Sequence, residues 1–342
     1  MNLRSAARTL AYHSGALNAL HRVGNRDVLT VVMFHRILPE EECLRLGADP
    51  LYTITPEFLA ECRSFFEHHY NIVSLDDVLS SCRRVRPLPP WPLLITFDDG
   101  WRDNLDWALP VLRDCPWVIF AATDAVEEGG IWWQEALLWA LRSGICTQEQ
   151  LLRRAACSES SRHPELPSEL HLLLAYAGLS GQGRKVALAP YAQRLRSCYR
   201  GQSMVSAEDL GLLHRSNVAI GAHGATHLPL THLGDTERDL RRARNWLNDV
   251  LAPQSIAAMS FPHGRWNSEI LGIAQQLGYE IMFTSNSVLN PCPAGWLEHC
   301  VLGRIAITRE TAGKRNGNLA PPRMATWLYS RDSAILGAEQ NA

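Results

Sequence analysis

Leu93-Leu94-Ile95-Thr96-Phe97-Asp98-Asp99-Gly100 is an apolar run that ends in two adjacent carboxylates and a glycine. A short continuous apolar run reads as a strand buried on both faces, and Gly100 eases a turn directly after it. Parallel α/β folds place their chemistry at the C-terminal ends of such strands. Neighbouring strand residues point to opposite sides, so two useful carboxylates in sequence mean that the chain is already turning at Asp98 and Asp99. They can then hold different roles. The same string also reads as a plain Asp-Asp-Gly turn, and the choice between the two rests on the remainder of the chain.

Outward from this string, short apolar runs alternate with helical patterns. The strands expected are Val28–Phe34, Leu93–Phe97, Trp117–Ala121, Val218–Ala222, Ile256–Ser260, Ile281–Phe283 and Val301–Ile307. Their alternation with helices is the signature of α/β units and a parallel sheet or barrel. Thr55-Pro56-Glu57, Ser206-Ala207-Glu208-Asp209 and Asp235-Thr236-Glu237 each open a helix with a capping residue followed by proline or first-turn acids. The rhythm breaks over about residues 130–203, which hold helical runs and no strand, so a helical insertion within one domain is expected. The division is an amphipathic helix over 1–25, a body over 26–310 carrying that insertion, and a polar, turn-rich tail over 311–342 lying on the surface.

The 342 residues are 46% apolar with 11 Trp, enough to bury a sizeable core, which excludes extended disorder. Basic and acidic residues nearly cancel at 33 and 35, so no nucleic-acid partner is expected. No apolar run reaches the roughly 18 to 20 residues that span a bilayer. Nine scattered cysteines without a CxxC pair fit free thiols in a reducing compartment. With no signal-peptide pattern at the start, a cytoplasmic location follows. Leu3, Ala7, Leu10, Ser14 and Leu17 recur at helical spacing beside Arg4, Arg8 and Arg22, with no acid before Asp27. Such a helix either docks on the body or gives residues 1–24 peripheral contact with the inner face of a membrane. His68 and His69 read as surface residues. Trp132, Trp133 and Trp139 read as core before they read as a sugar-stacking wall.

A second chemical string, His223-Gly224-Ala225-Thr226-His227, follows the Val218–Ala222 strand. Gly224 and Pro229 disfavour a helix, so the two imidazoles belong to a loop that can wrap a metal. Two histidines and a carboxylate are a usual ligand set for zinc or a similar divalent ion left open to substrate.

With both strings in view, the chain resembles the polysaccharide deacetylase family, metal-dependent carbohydrate esterases of the NodB homology type. Thr96–Gly100 resembles the family's first motif and His223–His227 its second. Ser260-Phe261-Pro262-His263-Gly264-Arg265 sits where the family has a Pro-aromatic-Gly motif, and Met33-Phe34-His35-Arg36 resembles the end of its first strand. The resemblance runs over about residues 28–125 and 204–308. It implies a distorted (β/α) barrel of about seven strands and an enzyme that removes an N-acetyl or other acyl group from a sugar in a polysaccharide or glycolipid precursor. Asp99, His223 and His227 would hold a divalent ion, zinc first, with cobalt, nickel or manganese as alternatives. Asp98 would be the general base, and the oxyanion would be met by the metal and a backbone N–H near Gly264–Trp266. His35, Pro262, Gly264 and Arg304 would line the substrate site.

Three departures from the family pattern stand out. Gly224 replaces a Ser or Thr, which puts the loop's rigidity in question. No arginine opens the third motif, where Ser260 and Phe261 stand, so the usual brace on the base is expected to be missing. The last strand offers Arg304 where many members carry an acid histidine. Arg304 cannot donate a proton near neutrality, which leaves His263 as the candidate acid. The rival readings are a deformylase or other C–N hydrolase on the same barrel, and a catalytically idle member that binds glycan.

Overall fold

The computed structural model describes residues 3–155, 167–199, 202–252, 256–314 and 316–336. Cys157 and the chain end beyond 336 therefore lie outside the described residues. Six strands, β1 (Val28–Phe34), β2 (Pro92–Phe97), β3 (Val118–Ala121), β4 (Ala219–Ala222), β5 (Ala258–Ser260) and β6 (Ile281–Phe283), pair in parallel in that order. β7 (Val301–Leu302) pairs with β6, and β8 (Ile305–Ala306) pairs with β1. One extended segment, broken at Gly303–Arg304, thus carries the last strand back to the first and gives a barrel of seven strand positions. The break suits glycine, because a Cβ at Gly303 would come within 2.7 Å of the Asn286 carbonyl oxygen. Asn290 holds it, accepting from Gly303 N at 2.8 Å and donating to Gly303 O at 3.0 Å.

Alternation along the strands divides the core. Leu93, Ile95 and Phe97 join the apolar layer under the helices, whereas Leu94 joins Val31, Phe120 and Phe283 in a second cluster, as period-two side-chain geometry requires. The helix starts are capped as expected. Thr55 Oγ1 accepts from Phe58 N with Pro56 at the first position, Ser206 and Asp209 cap reciprocally, and Asp235 accepts from Arg238 N.

The insertion contributes the helices Trp133–Arg142, Gln148–Arg154, Ser168–Ala177 and Gly181–Cys198 around an apolar cluster of its own that includes Leu137, Leu151, Leu173 and Tyr176. A buried charge network ties it to the barrel. Arg36 pairs with Asp103 at 2.9 Å and with Glu135 at 3.6 Å, and donates to Tyr199 Oη at 2.8 Å. Glu135 also accepts from Tyr199 Oη at 2.6 Å and from Arg142 at 3.0 Å. All of Glu135's charge is spent within the network.

Both ends of the chain correct the sequence reading. The amphipathic start is two helices, Leu3–His13 and Ala16–Gly24, broken where Gly15 takes φ 81°. The tail is no surface excursion, since the helix Pro321–Tyr329 buries Met324, Ala325, Leu328 and Tyr329 and packs against both N-terminal helices. Pro321 and Pro322 mark the start of a helix there, where proline's missing N–H costs nothing.

His69, expected on the surface, is buried with His21. The His21 ring stacks on Tyr329 at 4.1 Å, and its Nε2 lies 3.1 Å from the His69 carbonyl oxygen, to which it donates. Burial pushes both imidazoles down to about 4. A histidine held below its unfolded value of about 6.5 binds fewer protons folded than unfolded. Its stabilisation is present above pH 6.5 and is lost as the pH falls from there toward 4, by roughly 3 kcal/mol at most for His21. His21→Phe keeps the ring stack but cannot take a proton, so its melting temperature should fall less over that window than the native chain's. Parallel falls in thermal melts at matched pH would assign the acid sensitivity elsewhere.

Candidate active site

The site gathers at the C-terminal mouth of the barrel, on loops whose backbone is partly left-handed. Asp99 (φ 77°), His227 (φ 55°) and His263 (φ 56°) are non-glycine residues in that region, next to Gly100, Gly224 and Gly264. Such a concentration is costly and persists where surrounding structure holds it. Asp239 does the holding at the histidine loop, accepting from Ala225 N at 2.8 Å, Thr226 N at 3.0 Å and Thr226 Oγ1 at 2.7 Å. A Cβ at position 224 would sit 2.9 Å from that carboxylate. Gly224 is therefore what lets Asp239 brace the loop, and the departure at this position does not slacken it.

Asp99 Oδ1 lies 3.1 Å from His227 Nε2 and 3.5 Å from His223 Nε2, and one ligand atom from each of the three falls within 4.8 Å of the others. Their remaining polar atoms are engaged from outside. His223 Nδ1 faces the Ser260 carbonyl at 2.8 Å, His227 Nδ1 faces Gln134 Oε1 at 3.0 Å, and Trp101 Nε1 donates to Asp99 Oδ2 at 2.8 Å. Gln134 is oriented in turn by donating to the Thr226 carbonyl at 3.0 Å. A ring that donates through Nδ1 keeps its Nε2 lone pair for a metal. Burial pushes His223 down to about 4 and so keeps it neutral. Burial alone would raise Asp99, but His227, His35 and His223 outweigh it and hold the carboxyl well below the usual range. Two imidazoles and a carboxylate, all buried and with ligand atoms converging, fit a divalent ion with an open position.

Asp98 is bound quite differently. Arg304 Nη1 donates to its Oδ1 and Nη2 to its Oδ2, each at 2.6 Å, while Nη2 also reaches Ser260 Oγ at 2.7 Å and Nε donates to the Thr284 carbonyl at 3.1 Å. Burial would raise Asp98, but the Arg304 charge and His223 outweigh it and keep the group ionised. The pair bears on two expectations. Arg304 is one of the pocket-lining residues, though only 1% exposed and with its guanidinium engaged by internal partners. A brace on Asp98, expected to be missing, is present after all, delivered from the Gly303–Arg304 break in the last strand.

His263 also departs from expectation. Its Nε2 lies 3.2 Å from the His227 carbonyl oxygen, and burial together with the His227 and His223 rings holds it well below an ordinary histidine. It is neutral with its N–H engaged, which is poor preparation for a proton donor. Two of the three backbone donors expected for an oxyanion are taken, since Gly264 N bonds Phe261 O at 2.9 Å and Arg265 N bonds Pro262 O at 3.2 Å. His35 lines the pocket with its ring 4.9 Å from Tyr52, and Gly264 lines it as well, whereas Pro262 is buried. Trp132 packs on the His227 ring at 5.0 Å. Gln134, Trp101 and Asp239 are not singled out by the sequence because none carries a local motif.

Residues 185–282 match the family model described as polysaccharide deacetylase, a span that contains His223, His227 and the Ser260–Arg265 string but not the two aspartates. No curated protein matches the chain. Among solved structures, the chain is similar to the Streptococcus pyogenes deacetylase PplD in complex with acetate, with TM-score 0.56 at 15% identity over 89% of this chain and 99% of that one. It is similar to IcaB from Ammonifex degensii, with TM-score 0.54 at 18% identity over 89% and 98%. It is similar, too, to a de-N-acetylase from Aggregatibacter actinomycetemcomitans, with TM-score 0.53 at 15% identity over 85% and 100%. At such identities these structures speak for the fold, in which Asp98 and Asp99 are set beside the histidines of the matched segment. Residues 185–282 thus carry the polysaccharide deacetylase match, within a barrel fold that the chain shares with these deacetylase structures.

Proposed function

We propose that the chain removes an N-acetyl group from a sugar with the help of a divalent ion held by Asp99, His223 and His227. The observation that carries this reading is the pair of adjacent carboxylates with separate partners, Asp99 turned to the imidazoles and Asp98 to Arg304. A zinc-like ion bound there supplies Lewis acidity, which acidifies water and polarises an amide oxygen. Asp98, kept ionised by Arg304, takes the proton of the attacking water. With His263 held neutral, the same carboxyl then returns that proton to the leaving nitrogen, so one group serves as base and acid in turn. A retained three-residue ligand set favours chemistry over an idle glycan binder. The deformylase alternative is separated by the product. Full-length protein with one equivalent of zinc should release acetate and not formate from N-acetylated sugars, lose that activity to a chelator and regain it with metal. Formate as the main product moves the enzyme to the rival reaction.

The substrate in this reading is a precursor in the cytoplasm, lipid-linked or not, and the N-terminal helices give peripheral contact with the membrane. Among the described residues no helix is long and apolar enough to cross a bilayer. Leu10, Leu20 and Val23 are 71%, 51% and 84% exposed on those helices, beside Arg22, whose guanidinium lies over Trp91. Apolar side chains mixed with arginine suit an anionic interface. Co-sedimentation with phosphatidylglycerol vesicles should be lost on replacing the three by glutamate, while acetate release from soluble sugars stays unchanged. Equal binding by that variant removes the membrane contact.

A further inference from the structure

A cavity of about 610 Å³ lies in the insertion, lined by the helix Gly181–Cys198 and by the stretch that runs from Glu128 into the helix Trp133–Arg142. It shares no lining residue with the catalytic pocket, and Trp133 lines it whereas Trp132 and Gln134 line the catalytic pocket. Lys185, Ala189, Ala192 and Arg196 recur at spacings of four, three and four, which keeps them on one face of the helix. At about 1.5 Å per residue, Lys185 and Arg196 stand roughly 16 Å apart along its axis. The cavity is thus flanked by a cation at each end, with apolar residues between. Ile131 and Trp133 supply apolar surface from the other element. Three cations line the cavity against one carboxylate, Glu128. Arg184 is fixed, since Nη1 donates to the Ala177 and Leu179 carbonyls at 3.2 and 3.0 Å and the guanidinium lies 5.2 Å over the Trp133 ring. Among the described residues Lys185 and Arg196 make no hydrogen bond and no ion pair, with Glu128 or with any other group. Their charge is not neutralised within the protein.

We infer that this cavity is a second binding site, for an organic anion of small-molecule size with an apolar body and a carboxylate or phosphate head. Ligand sites commonly combine a volume in this range with a mostly apolar lining and a few polar groups that fix orientation. The apolar body gains by leaving water against Ile131, Trp133 and Ala192. The head gains charge-assisted hydrogen bonds from Lys185 or Arg196, which are stronger than neutral ones. A neutral apolar molecule leaves those cations unused, and a bare inorganic anion leaves the apolar wall wet. Because no lining residue is shared with the catalytic pocket, the site stands or falls independently of the deacetylase reading.

The test is isothermal titration calorimetry on the full-length protein at low salt, with decanoate, decyl phosphate, decanol and inorganic phosphate as probes below any micelle concentration. Decanoate or decyl phosphate is expected to bind at one per chain, about tenfold or more tighter than decanol and inorganic phosphate. The tighter of the two tells a carboxylate head from a phosphate. Lys185→Glu/Arg196→Glu should weaken that binding about tenfold or more, and raised salt should weaken it in the native chain. Both side chains are exposed, so the exchange leaves the fold in place. Ala192→Phe keeps every charge but fills the cavity, and it should weaken binding as well. Glutamate at Leu10, Leu20 and Val23 should change nothing, which separates the cavity from the exposed N-terminal face. Anion binding that survives the charge reversal, decanol binding as tightly as decanoate, loss of binding in the N-terminal variant, or no binding of any probe would overturn the site.

Discussion

Asp99→Ala is expected to empty the metal site, and Asp98→Asn to leave it loaded but nearly silent. In the proposed site Asp99 would supply the one anionic ligand atom of the three, and three protein ligands are the usual minimum for a site that keeps a position open. Its removal also leaves the Trp101 indole N–H, which donates to Asp99 Oδ2 at 2.8 Å, without a partner. Asp98 touches no ligand atom as closely, its Oδ2 being 3.8 Å from His223 Nε2. Asparagine there keeps the shape and accepts one of the Arg304 bonds, but it cannot take a proton. Acetate release should therefore drop on the order of a hundredfold or more, the usual worth of general-base help, with zinc near one per chain. Metal content and acetate release measured on the same two preparations decide the assignment. An empty Asp98→Asn and a loaded Asp99→Ala would exchange the two roles.

Arg304→Met should destabilise the protein and silence it together. Both partners of the Asp98–Arg304 pair are almost fully buried, at 2% and 1% exposure, and removing one partner of such a pair strands the other charge at a cost of about 3–5 kcal/mol. Asp98 would escape by taking up a proton, and a protonated carboxyl is no base. In the double variant Asp98→Asn/Arg304→Met no charge is stranded, so much of the lost stability should return while activity does not. Urea unfolding of the four proteins yields the coupling energy directly. A double variant no more stable than Arg304→Met alone would mean that the pair is not what holds this end of the barrel together.

The part of the site that was legible is the part with local spacing. Asp98-Asp99-Gly100 after an apolar strand and two histidines four apart around a glycine announce themselves, because turn and ligand chemistry act between residues close in sequence. Arg304 reaches Asp98 across 206 positions, and Gln134 reaches His227 across 93. No periodicity or propensity reports such pairs. The misread tail has the same cause. Gly313, Gly317, Pro321 and Pro322 look like loop punctuation until Met324 and Leu328 find the N-terminal helices to pack on.

By itself, then, the amino-acid order determined the strands, their parallel arrangement, the helical insertion between them and the types of group available at their ends. Each of these follows from hydrophobic period and turn residues, which are properties of neighbours along the chain. The tertiary structure alone decided which charge pairs with which. Arg304 became the brace of Asp98 because the ring closes through a broken strand at Gly303, which turns that side chain inward beside β2 and β5. His263 is held below an ordinary histidine by its burial against two other imidazoles. Burial and partner choice depend on what the closed barrel brings within a few ångströms, and desolvation makes those short distances decisive for a buried charge.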